Sequence, residues 1–218
     1  MNGIVQTSHQ TYPVPAQAVR HETTVLNSRF VASLAPVFSV EEARAHIARI
    51  RTEFADASHN VPVYLIGFGN SVTAHCSDDG EPSGTAGRPA LAVLQGSGMG
   101  DVAVVVTRYF GGTKLGTGGL VRAYGDAVRQ VLAVTPRARR IPVHTVMIEL
   151  PYGLYEQGRQ LFEAHGGVVL AQDFAGEVTL TARFPVNRLE DFQLALSELS
   201  NGGRQAMIVE TSTVLMPE

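Results

Sequence analysis

Cysteine is nearly absent: Cys76 is the only one, which excludes an internal disulfide and makes a reducing cytoplasm the simplest expectation of compartment. Long apolar runs are missing too. None approaches the ~20 residues that a membrane span needs, so a soluble chain with no membrane partner is expected. Residues 1–10 hold neither a basic stretch nor an apolar one, so nothing there marks the chain for secretion. A cationic excess is also lacking. The net charge of -3 argues against a generic nucleic-acid binder, yet its distribution is uneven. Residues 1–134 balance to zero, 135–142 add Arg137, Arg139 and Arg140 without an acid, and 143–218 carry -6. A polyanion is therefore expected to meet the first half or the basic segment rather than the acidic second half.

The 218 residues, 44% of them hydrophobic, suffice for two small cores. Pro136 and Pro142 follow a strong helix pattern that neither can continue, so 135–142 is expected to be a basic, proline-containing linker between domains at 17–134 and 143–218. In the first domain, 19–26 and 29–37 read as paired strands. Ser39 and Glu42 form a capping box ahead of Ala43, Ile47, Ile50 and Phe54 at helical spacing. Strands are expected at 61–69 and 72–77, a helix opening at Pro89, a valine-rich strand buried on both faces at 102–107, and a long helix whose apolar side runs from Leu120 to Leu132. This is a layered α+β unit. The second domain reads βαββαβ, the ferredoxin-like order: strand 144–150, helix 152–165, hairpin 168–184, a helix capped by Asn187 and Glu190, and a last strand. That fold hosts many functions and assigns none by itself.

Two glycine-rich loops lead into helices and carry the candidate residues. The first spans 77–89 and the second 107–124. A helix N-terminus offers unpaired N–H groups and the positive end of its dipole, and glycines let an anion reach the backbone. Phosphate is the expected guest, with Arg88, Arg108, Lys114 and Arg122 supplying charge and Gly111, Gly112, Gly116, Gly118 and Gly119 shaping the second cradle. Tyr109 and Phe110 are possible stacking surfaces. The competing reading is that the glycines serve tight turns and that Arg122, Asp126 and Arg129 form a solvated helix face. Tyr124 lies on the apolar stripe and is expected in the core. Asp78, Asp79 and Glu81 form an acidic knot that could hold magnesium; capping, or pairing with Arg88 and Lys114, is favoured because the knot lacks a known metal-loop spacing. His75 and Cys76 alternate across a strand and would not share a metal. His59 is a possible ligand contact. No catalytic triad, cofactor or metal is expected.

Ser28-Arg29-Phe30, Ala57-Ser58-His59-Asn60, the run D-D-G-E-P-S-G-T-A-G-R at 78–88 and R-Y-F-G-G-T-K-L-G-T-G-G-L-V-R-A-Y at 108–124 resemble the signature of the IMPACT N-terminal domain in its bacterial YigZ form. The resemblance covers roughly 17–134. It implies a first domain of the ribosomal-protein type, in the βαβ-rich left-handed-crossover superfamily shared with translation factors and small-molecule kinases. It also implies a second domain similar to the last domain of elongation factor G. Eukaryotic relatives regulate translation under starvation, partly through an extra N-terminal domain, so that signalling role is not carried over. The leading expectation is a non-enzymatic protein binding RNA, the ribosome or a translation-associated protein. The alternatives are an enzyme acting on a phosphorylated small molecule or nucleotide at the glycine loops, since 115–120 resembles a kinase phosphate loop, and a protein–protein adaptor using the acidic second domain.

Overall fold

The structure is a computed structural model that describes residues 12–218, so the reading of 1–10 lies outside the described residues. Within them, ten strands and five α-helices fall into two compact units, one reaching Arg139 and including Met216–Glu218, the other spanning Arg140–Leu215. No helix of the described residues is long and apolar enough to cross a membrane.

The first unit contains β1 (Pro13–Pro15), β2 (Val19–Val25), β3 (Ser28–Pro36), α1 (Val40–Glu53), β4 (His59–Ile66), β5 (Thr73–Cys76), α2 (Gly87–Gln95), β6 (Val102–Tyr109) and α3 (Gly116–Ala133). Its main sheet has the order β2-β3-β6-β4-β5, every neighbouring pair antiparallel. Central β6 needs apolar side chains on both faces, which is why its alternation disappears into a run of valines. On one face Val102, Val104 and Val106 pack with Phe30, Leu34, Val61 and Val63 beneath α2 and α3. On the other, Ala103 and Val105 meet Ala43, Ile47 and Ile50 of α1. Ser39 caps α1 by accepting from the Glu42 N–H at 3.1 Å, and Glu42 returns a bond to the Phe38 N–H at 2.8 Å.

A two-residue turn at Leu26 and Asn27, both with positive φ (44° and 65°), joins β2 to β3. The tip of this hairpin fixes the second glycine-rich loop, because a Cβ on Gly111 would lie 2.0 Å from the Asn27 carbonyl carbon. The Gly111 N–H also donates to Ser28 Oγ at 3.1 Å.

The second unit holds most of β7 (Arg137–Leu150), then α4 (Tyr155–Ala164), β8 (Val168–Phe174), β9 (Val178–Pro185), α5 (Leu189–Leu199) and β10 (Met207–Pro217). Strand β7 lies between β9 and β10, and β8 flanks β9. Phe162, Phe184 and Phe192 form its centre, with ring centroids 4.5–5.3 Å apart. Two expectations need correction. The segment 137–142 is strand rather than linker: Arg137–Arg139 pair with β1, and Pro142 falls between that ladder and the one with β9, which begins at Val143. A proline is tolerated there because neither of these two ladders needs its missing N–H. Asn187 does not cap α5, which grows from a 3-10 turn at Val186–Arg188 without a side-chain cap.

The close approach at Gly111 generates a stability test. Gly111→Ala is expected to cost about 2 kcal/mol or more, because rigid backbone must move to admit one methyl group. Urea unfolding measures it, and an unchanged midpoint would remove the anchoring role given to the hairpin tip.

Candidate functional site

The first glycine-rich loop wraps around its own anion. Asp78 accepts the Gly84 N–H at 2.7 Å through one oxygen and the Ala86 and Gly87 N–H groups at 3.0 and 2.8 Å through the other. Helix α2 therefore starts at Gly87, two residues before Pro89, because the carboxylate of Asp78, nine residues earlier in sequence, supplies its cap. Burial pushes the Asp78 pKa up, but the three N–H donors and nearby Arg88 outweigh it, so the net direction is down. The N–H groups expected to greet a phosphate here are already bonded. Arg88 is exposed beside them.

Glu81 and Arg108 are buried together, at 8% and 5% exposure. Arg108 Nη1 donates to Glu81 Oε1 at 2.6 Å, and the Tyr124 hydroxyl donates to the same oxygen at 2.8 Å. The guanidinium lies 5.5 Å from the Phe30 ring centroid and 5.6 Å from that of Phe110, and its Nη2 approaches Ser28 Oγ at 3.4 Å. Its Nε is buried without a partner. Tyr124 belongs to the core as expected, packing edge-on against Phe30. Burial, then the Glu81 charge, drives its pKa upward, so it stays a neutral donor. Arg108 is thus turned inward and neutralised rather than free to meet a phosphate.

The acidic knot does not pair as the sequence suggested. Instead of Arg88 and Lys114, the partners are Arg108 for Glu81 and Arg51 of α1 for Asp79, at 2.5 Å. The second Asp79 oxygen takes the Asn60 N–H at 2.7 Å, and the Asp79 carbonyl lies 2.8 Å from His59 Nδ1. A carbonyl only accepts, so Nδ1 carries the proton and Nε2 faces Glu81 Oε1, 3.8 Å away. Ser58 Oγ accepts the Phe110 N–H at 3.1 Å, and Asn60 Oδ1 accepts from Thr107 at 2.7 Å. Among the described residues no group of three or more His, Cys, Asp or Glu side chains is placed to hold a metal ion.

The second loop differs from the first. Helix α3 opens at Gly116 with Leu115 as cap residue and no side-chain cap bond. Lys114 and Arg122 are exposed, Arg122 folding back so that its Nε donates to the Gly118 carbonyl at 3.3 Å. Phe110 is 49% exposed. Tyr109 is occupied: its hydroxyl donates to Asp56 at 2.8 Å and Arg29 stacks 4.5 Å from its ring centroid. That Asp56 bond, with burial, pushes the Tyr109 pKa up. Gly112 and Gly116 have positive φ (85° and 70°), and a Cβ on Gly119 would sit 3.0 Å from Leu115 Cβ. A Cβ on Gly118 would meet nothing within 4 Å. Ser28, Arg51, Ser58 and Asn60 were not singled out individually by sequence reasoning. Three of them lie inside quoted motifs, while Arg51 looks like any helix-surface arginine.

The first unit is a sheet with helices on both faces, and its glycine-rich loops meet around one buried ion pair. The Impact N-terminal domain profile matches residues 26–132, and the profile of a domain of unknown function, DUF1949, matches 148–202. The chain belongs to the IMPACT family. It is 35% identical over 202 residues to IMPACT family member YigZ of Escherichia coli, covering 92% of this chain and 99% of that one. An IMPACT family member of Haemophilus influenzae is 37% identical over 91% of this chain and 97% of its own length. Protein IMPACT-A of Xenopus tropicalis is 36% identical over 102 residues, 44% of this chain and 31% of its own. A solved structure titled as that of a hypothetical protein superposes with a TM-score of 0.61 at 35% identity, covering 92% of this chain and 98% of that one.

Two measurements follow from this geometry. Arg108→Ala leaves Glu81 buried without its cation and is expected to cost about 3–5 kcal/mol, whereas Arg108→Ala with Glu81→Ala should cost less than the sum of the single changes. A double-mutant cycle in urea decides it, strict additivity being the adverse result. The second concerns acid. Because the folded pKa of Asp78 is depressed, its contribution is full above the unfolded value of about 3.9 and is lost as pH falls through the lower folded value. Asp78→Asn should therefore lower stability at pH 7, with the gap to wild type closing below about pH 4. A gap that stays constant down to pH 2 would remove the capping role.

Proposed function

We propose that this protein is a non-enzymatic RNA-binding protein acting in translation, and that it engages RNA through the exposed start of α3. Lys114 and Arg122 supply charge there, with Arg88 in the first turn of α2, and Phe110 offers a ring for stacking. His59, Asp78, Asp79, Glu81 and Arg108 act from beneath, holding the two loops in register. Gly118 carries the reading. It lies inside the first turn of a regular helix, where glycine is less stable than alanine by up to about 1 kcal/mol. Neither a positive φ nor a neighbour within 4 Å demands its presence. A bare backbone kept at an uncapped helix start suits an approaching phosphate.

The enzyme alternative relied on Asp78 or Asp79 for magnesium, and their oxygens are already engaged by backbone N–H groups and Arg51. The translation setting rests on membership of the IMPACT family. The second unit is read as a ferredoxin-like split βαβ domain akin to the last domain of elongation factor G, supported by its βαββαβ order and by β7 lying between β9 and β10. The first is read as ribosomal-protein-like on the strength of family membership alone.

Titration of a labelled single-stranded RNA at two salt concentrations tests the site. Lys114→Ala and Arg122→Ala should each weaken binding several-fold and flatten the salt dependence, with Arg137→Ala as the control of equal charge. Gly118→Ala should weaken binding while leaving thermal stability equal or higher. Equal losses in all three charge variants would mean diffuse attraction, and undiminished binding by the glycine variant would overturn the cradle.

A further inference from the structure

A concave surface lies on the face of the main sheet that α1 covers. Helix α1 and strands β4 and β5 enclose a cleft of about 440 Å³, within the size range of small-ligand sites. Its floor is a cross-strand grid. Tyr64 and His75 are direct partners in the β4–β5 ladder, and Pro62 lies two residues before Tyr64 on the same face of its strand. The buried Tyr64 ring stacks on His75, centroids 5.1 Å apart and planes inclined by 25°, which leaves His75 as an exposed planar surface on a rigid base. The wall is α1, where Arg44, Ile47 and Arg51 follow one another at helical spacing along the cleft.

The two arginines are the basic side chains among the residues lining this cleft, and no acid lines it. Arg44 is exposed on the rim. Arg51 gives one nitrogen to Asp79 and keeps further guanidinium donors. Asp79 is the acid paired with a cleft arginine, and Ile47 and Pro62 supply the apolar remainder. A flat ring surface, two guanidiniums two helical turns apart and an apolar floor recognise a ligand that joins a planar heterocycle to a phosphate.

We propose that this cleft binds a nucleoside monophosphate unit, its base stacked on His75 and its phosphate held by Arg44 and Arg51. The unit comes either as a free mononucleotide or as one residue of an RNA strand. The site is separate from the start of α3 and does not rest on that reading.

The probes are AMP, adenosine, ribose 5-phosphate and a short oligouridylate, followed calorimetrically and through the His75 ring resonances. AMP is expected to bind saturably and to shift those resonances, adenosine and ribose 5-phosphate each binding more weakly because each lacks half of the recognised chemistry. Arg44→Ala and His75→Ala should each weaken AMP about tenfold, the scale of one lost stacking or charge-assisted contact. Both residues are exposed, so unchanged melting temperatures verify folding. Oligouridylate binding that loses affinity in these variants while AMP fails to bind would assign the cleft to a strand, and AMP binding alone would assign it to a free nucleotide. The proposal is overturned if neither probe saturates, or if both variants bind as wild type does. Lys114→Ala separates the two sites: it should leave AMP binding intact even if RNA binding at α3 is lost or never existed.

Discussion

The arrangement of the first unit depends on the buried pair of Glu81 and Arg108. Two charges removed from water are stable only where geometry is good and further polar groups meet them, and here residues from distant parts of the chain supply partners to both Nη groups of Arg108 while its Nε is left without one. Tyr124 comes from α3, Ser28 and Phe30 from β3, and Phe110 from the second loop. The pair is consequently less a source of net stability than a constraint on position. Any displacement of α3, β3 or the first loop would expose a charge to an apolar core, so the three must stay in register.

The motifs that look independent in sequence are therefore one polar network. Ser58 fixes the backbone at Phe110, Asn60 joins Thr107 to Asp79, and Asp79 reaches across to α1 through Arg51. Density of Asp, Ser, Asn and Gly along these segments reflects how many backbone donors the loops leave outside regular secondary structure. Asp78 shows the principle most directly. The first loop needs an anion at the start of α2 and carries its own.

Local patterns reveal most of the elements. The Ser39–Glu42 box, the valines of β6 and the stripe from Leu120 to Val131 each specify their element by short-range chemistry. Failures occur where long-range contacts decide. Arg108 reads as a free cation because nothing in its neighbours announces that Glu81, 27 residues earlier, will bury beside it. The basic run at 135–142 reads as linker because Pro136 and Pro142 cannot continue the helix before it, but β1 supplies a strand partner before Pro142 and β9 one after it. Arg51 has no distinguishing signal at all, since its role exists only once Asp79 adopts a left-handed turn at φ 48°.

Glycines carry the last distinction, because the same residue type answers different demands within one loop. Gly111 is fixed by an immovable neighbour, the Asn27 backbone, and Gly112 and Gly116 by backbone angles that side chains resist. Gly119 lies against Leu115. Each of these is explained from inside the chain. Gly118 is not, for its backbone is helical and the space beyond its Cα is open. Gly153 and Gly176 likewise have neither a positive φ nor a close neighbour, so it is the position of Gly118 in the first turn of α3, where a bare backbone favours an approaching anion, that supports the cradle proposed above.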